Sequence, residues 1–224
     1  MLKDASMRLC LVGCGEVFDL LDKDLPAYGW DDARVHRHRF AQVADIAAQA
    51  DAVLATWDPA VHTLFIAVDA NALNHARLEL YGRARLRGFR LQALVHPSVI
   101  AGPGARWADN VWIGPGTLLG PDCRIDSDSF IGAGSRLDAR VHVGAHVWVG
   151  QGARIGAGCQ IATHAVLGPD VILKSDTQLG RHVLIDKPGP WEGTWAAGTF
   201  LESTWAQPAR MVGPGYSFQR QTPP

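Results

Sequence analysis

From Val99 onward the sequence repeats every six residues. Val99, Ala105, Val111, Thr117, Cys123 and each sixth residue as far as Val183 are small or β-branched, fifteen hexads in one register. Two residues further on, the series from Ile113 through Leu119, Ile125, Ile131 and Val143 to Ile185 is aliphatic, after a lapse at Ala101 and Trp107. A turn former usually follows, as in "IGPG", "IGAG" and "LGPD". Such a hexad is one short strand ending in a tight turn, with two inward residues filling an axis. It is too thin to bury a core alone, so only stacked coils are stable. Three hexads make one coil, with neighbouring coils roughly 4.8 Å apart, the strand spacing. The repeat therefore predicts a parallel β-helix over 96–186.

Stepping by eighteen residues sorts the outward positions into three faces. Trp112, Phe130, Trp148, Val166 and Leu184 form an apolar ladder, which usually marks an interface. The expectation is self-association through Trp112, Phe130 and Trp148, with a trimer suiting a three-sided prism. Arg106, Arg124, His142, Gln160 and Gln178 form a solvated face, and Ile100, Leu118, Arg136, Arg154 and Ile172 a mixed one. His146, His164 and His182 stack at one corner. A ladder with steps of roughly 4.8 Å diverges from any common point, whereas zinc needs about three converging ligands, so no metal site is expected. Cys123 and Cys159, two coils apart, are too distant for a disulfide and belong to the core.

Residues 1–95 alternate strand-like stretches ("RLCLVGCG", "ARVHRHRF", "LFIAVD") with helix-like ones, the pattern of a small Rossmann-like α/β domain. "GCGEV" follows the first strand, so Gly13 and Gly15 open a helix whose N-terminus is a candidate phosphate site; a simple tight turn explains them equally. The basic run from Arg34 to Arg39 reads as phosphate contacts or as alternation on an edge strand. Residues 187–224 form an extension whose Trp191, Trp195 and Trp205 need burial against the last coils.

The net charge of −1 gives no support for a nucleic-acid or membrane partner, and no apolar run approaches the roughly 18 residues of a membrane span. Four cysteines without a paired motif suit a reducing compartment, so the cytoplasm is the expected location.

A small α/β domain, then "HPS" at His96–Ser98, then an unbroken hexapeptide helix resembles the bacterial sugar acyltransferases that include sialic-acid O-acetyltransferases and amino-sugar N-acetyltransferases. "FIAVDAN", ending at Asn71, is similar to the family's sugar-nucleotide segment, and "QPARMVG" at Gln207–Gly213 to its coenzyme-A-side motif. The resemblance implies a left-handed helix, a homotrimer, acetyl-CoA as co-substrate lying along the coils, and a nucleotide-linked sugar as partner. It implies a substrate contact at Asn71, beside the candidates Gly13 and Gly15 at the helix start, and coenzyme contacts at Gly156, Gly168, Pro208 and Arg210; the Gly156 backbone N–H is also a candidate donor to the oxyanion.

Three positions depart from the family. Where it carries Glu-His-Asp/Glu, with that His as general base, this chain has Asp138, Ala139 and Arg140. A second family His falls at Trp148, and the acidic pair that holds the nucleotide is replaced by "HRHRF". An alcohol acceptor needs a positioned base, worth about 10²–10⁴-fold, whereas an amine is partly neutral and gains from proximity alone. N-acylation is therefore favoured, with His142 or His146 as substitute base and Asp138 as the remaining acidic member. The alternatives are a catalytically silent relative that binds a sugar nucleotide or scaffolds a pathway enzyme, and a metal enzyme of the carbonic-anhydrase-like hexapeptide branch.

Overall fold

The computed structural model describes residues 7–70, 72–204 and 206–210; Asn71, Trp205 and the Met211–Gly213 end of the coenzyme-side motif lie outside them. Four parallel strands, β1 (Arg8–Cys14), β2 (Val35–Arg39), β3 (His62–Val68) and β4 (Arg90–Leu91), form a sheet of order β2-β1-β3-β4. Helices α1 (Glu16–Asp24), α2 (Ala44–Leu54) and α3 (His75–Leu86) connect them. β1 and β3 are apolar almost end to end because both faces of the sheet are covered. Cys10, Val12, Leu64 and Ile66 pack under α2 and α3. The alternate residues Leu9, Leu11, Phe65 and Ala67 face α1 and the solenoid.

The second body is a left-handed parallel β-helix whose three sheets pair residues eighteen apart: Ile100 with Leu118, Arg124 with His142, Phe130 with Trp148. Its first rung, Leu94–Val95, pairs with Trp112–Ile113. Rungs continue past Ile185: Thr194 pairs with Gln178 and Phe200 with Leu184, each sixteen residues on, so the last coil is two residues short. Trp191 and Trp195 lie against the solenoid core, and Ala209–Arg210 folds back antiparallel on Thr199–Phe200. The four cysteines are buried free thiols. No helix among the described residues is long and apolar enough to cross a membrane.

The aromatic ladder serves the chain itself, which corrects the expectation that Trp112, Phe130 and Trp148 face a second copy. Trp112 and Phe130 are buried in one cluster with Leu9, Leu11, Phe18 and Phe65, and Trp148 packs at its edge. Phe65 stacks on Phe130 with centroids 5.6 Å apart, and Trp112 Nε1 donates to Tyr28 Oη at 2.9 Å. The exposed face of a sheet and the outward face of a solenoid each need cover, and the chain satisfies both at once.

Candidate functional site

The turn Asp126-Ser127-Asp128 supplies both carboxylates that meet the histidines of the next coil. His142 Nε2 lies 2.8 Å from Asp126 Oδ2, and Arg124 Nε donates to Asp126 Oδ1 at 2.7 Å. Partial burial pushes the Asp126 carboxyl up, but hydrogen bonds and charge from His142 and Arg124 outweigh it and hold the group below the usual carboxylate range. This pair stands at one end of an open groove of about 470 Å³, lined along the solenoid by Gln160, Thr163, Gln178, Arg181 and Trp195. A carboxylate on Nε2 selects the tautomer with the lone pair on Nδ1, the form a general base needs.

His146 has a different setting. Asn110, Asp128, His146, His164 and His182 occupy one corner column, all with φ between 51 and 61°. Asn and Asp are among the side chains that tolerate this left-handed turn best, and His shares the enrichment. α3 covers this column. Asp128 and Arg77 are fully buried, and Arg77 Nε donates to Asp128 Oδ2 at 3.1 Å. Asp128 also accepts from Asn110 Nδ2 at 2.6 Å and from His146 Nδ1 at 2.7 Å. Burial pushes the Arg77 guanidinium down, against the pull of Asp128. Below His146, the rings of His164 and His182 follow at 5.0 Å steps. His164 Nδ1 donates to the Leu73 carbonyl at 3.0 Å. Burial, with smaller contributions from neighbouring charges, depresses His164 and His182 to about 4, so both are neutral at pH 7.

The other sequence candidates fall in separate places. Asp138 pairs with Arg136 at 2.8 Å and lines a smaller groove of about 250 Å³ with Arg154, Gly156 and Ile172, apart from the His142 groove. The Gly156 N–H is already donated to Leu173 O and the Gly168 N–H to Ile185 O, both at 2.8 Å. Neither N–H is left over for an oxyanion or a coenzyme. Pro208 and Arg210 are exposed on the final strand segment.

The α1 N-terminus is likewise taken: Asp69 accepts from Glu16 N at 2.8 Å and Val17 N at 2.9 Å. Gly13 and Gly15 permit this approach, since a Cβ would meet Ala67 O at 1.8 Å and Asp69 Oδ2 at 2.1 Å. The amides a phosphate would use thus already hold a carboxylate. Asp126, Asp128, Asn110, Arg77 and His75 are absent from the sequence reading. Counting eighteen back from His146 reaches Asp128 and Asn110, but no spacing rule reaches Arg77 or His75 on α3.

Residues 108–139 and 128–163 match the family described as bacterial transferase hexapeptide (six repeats). Among solved structures, PerB from Caulobacter crescentus, in complex with CoA and GDP-perosamine, is 20% identical with a TM-score of 0.50, covering 88% of this chain and 95% of that one. WeeI from Acinetobacter baumannii AYE is 12% identical with a TM-score of 0.54, covering 91% of this chain and 100% of that one. The acetyltransferase domain of PglB from Neisseria gonorrhoeae, in complex with acetyl coenzyme A, is 17% identical with a TM-score of 0.49, covering 92% and 100%. No curated protein matches the sequence. The repeat matched in sequence over residues 108–163 is present as coils in the fold, so this stretch carries the bacterial transferase hexapeptide repeat.

Proposed function

We propose that the protein transfers an acyl group, acetyl in the simplest case, from coenzyme A to the amine of a nucleotide-linked sugar. The observation that carries this reading is the His142–Asp126 pair at the end of the solenoid groove. The family resemblance and PerB, a protein of like fold that holds CoA and GDP-perosamine, support the substrate class. His142 Nδ1 takes the proton that the amine loses as its nitrogen bonds the thioester carbonyl carbon and the carbon–sulfur bond breaks. The same nitrogen then returns that proton to the departing thiolate. Asp126 fixes the ring and steadies the imidazolium between the two transfers. An amine needs less from this base than an alcohol, because proximity supplies part of the acceleration. A three-fold assembly, which the resemblance implies, would use faces other than the aromatic ladder; Ile100 and Leu118 are exposed on the mixed face.

A second reading, a silent relative that scaffolds or binds without turnover, is favoured by Ala139 in place of the family base and by Asp69 on the α1 amides. Following thiol release from acetyl-CoA with a panel of nucleotide-linked amino sugars separates the two. Turnover in wild type, strongly reduced in His142→Ala, supports the enzyme; no turnover and no coenzyme binding by calorimetry supports the silent relative.

A further inference from the structure

His164 and His182 alone are rungs of a ladder, with their nitrogens in separate coils. The fold adds a third imidazole. α3 begins at His75, whose ring centroid lies 4.9 Å from that of His164 and 5.8 Å from that of His182, closing a triangle whose third side is 5.0 Å. One nitrogen from each ring lies within 4.8 Å of the other two. We propose that His75, His164 and His182 together bind one divalent transition-metal ion of the zinc class, which fastens the start of α3 to the solenoid corner. The proposal does not depend on acyl transfer.

The donor set selects the metal. Neutral imidazoles without a carboxylate suit zinc, cobalt or nickel and disfavour calcium and magnesium, which take oxygen. The Leu73 carbonyl accepts the Nδ1 proton of His164, so Nε2 carries the lone pair. A backbone carbonyl fixing one nitrogen while the other ligates is the usual outer arrangement of a histidine metal site. Asn74, next to His75, is fully buried. Its Nδ2 donates to the His146 carbonyl at 2.8 Å, while its Oδ1 has no hydrogen-bond partner among the described residues. A metal-bound water would satisfy such a buried acceptor. Leu73 and Asn74 are also both left-handed, at φ 54 and 64°, although neither is glycine. The strain sits at the joint that sets His75 against the column.

The rings lie within 7–12° of parallel, so their lone pairs point along parallel planes. Binding therefore turns at least one ring about χ2 and draws the nitrogens inward to bond lengths of about 2.0–2.1 Å. His75, half-buried at the first residue of its helix, is the ring that turns.

The full chain, stripped with a chelator and dialysed, is titrated with Zn²⁺ by calorimetry and with Co²⁺ by visible absorption. The expected result is one ion per chain, the intense cobalt bands of low coordination number, and a raised Tm. His75→Ala, at a half-buried position, and His182→Asn should each weaken binding at least tenfold, with circular dichroism checking the fold. His36→Ala removes one member of a close imidazole pair away from this corner, His36 and His62 at 5.2 Å, and should leave binding unchanged. No stoichiometric binding by folded wild type overturns the proposal. So does binding that survives His75→Ala and disappears in His36→Ala.

Discussion

Arg77 and Asp128 form an ion pair with no solvent exposure on either side chain, one reaching from α3 and the other from a solenoid corner fifty-one residues on. The guanidinium also lies 4.2 Å from the Phe130 ring centroid and donates to the Asp128 carbonyl at 2.9 Å. This pair is where the α/β domain and the solenoid become one body, because removing either partner strands a charge in an apolar junction.

Asp128→Asn keeps the shape and removes the charge, leaving Arg77 uncompensated. The expected cost is about 3–5 kcal/mol, read from urea unfolding, whereas combining Asp128→Asn with Arg77→Met should cost less than the sum of the two single changes. Additive losses in the double variant would mean that the pair adds nothing beyond packing.

Trp112→Ala should destabilise the protein by about 3–5 kcal/mol without changing its assembly state. Trp112 fills the junction and satisfies Tyr28. Light scattering beside thermal unfolding checks this. A change of mass with little loss of Tm would return the aromatic ladder to an intermolecular role.

Asp126→Asn should lower kcat by about ten- to a hundredfold, less than the 10²–10⁴-fold expected of a lost base at His142. Asp126 only orients the ring and steadies its charge. The KM for acetyl-CoA should hold in both variants, because proton transfer acts in the transition state. A parallel rise in KM would place these residues in binding instead.

Acid should weaken the metal-free protein well before its carboxylates titrate. His164 and His182 are depressed to about 4 in the fold, against about 6.5 in an unfolded chain. The unfolded state binds more protons between those values, so their contribution is full above pH 6.5 and is lost as pH falls toward 4. Each group accounts for a few kcal/mol, since every tenfold change in proton affinity is worth about 1.4 kcal/mol. Chemical unfolding from pH 8 to 4.5, with a chelator present, should show this decline, reduced in His182→Asn. A flat profile would show the corner to be hydrated.

The repeat was legible because each hexad obeys a local rule. Val141, Val143, Val147 and Val149 must point inward wherever the coil sits, and eighteen-residue spacing then fixes every rung partner from Ile100 to Leu184. The alternating pattern of the first ninety residues likewise follows from a parallel sheet covered on both faces. His142 on an outward face also follows from that arithmetic, whereas the groove it lines does not. Its partner Asp126 is sixteen residues back, off the eighteen-residue register that pairs His142 with Arg124, so the spacing does not reach it.

What only the tertiary structure decided is the pairing of the two bodies. Periodicity marks the aromatic ladder as sticky but carries no address, so Trp112 and Phe130 read equally as facing a second copy or the chain's own sheet. The linker from β4 to the first rung is short, and folding the sheet onto the nearest apolar face buries both surfaces without losing the freedom of a second chain. That docking brings α3 over the corner column, and with it Arg77 to Asp128 and His75 to His164 and His182. His164 and His182 thereby become buried and neutral, because residues far apart in sequence share one low-dielectric junction.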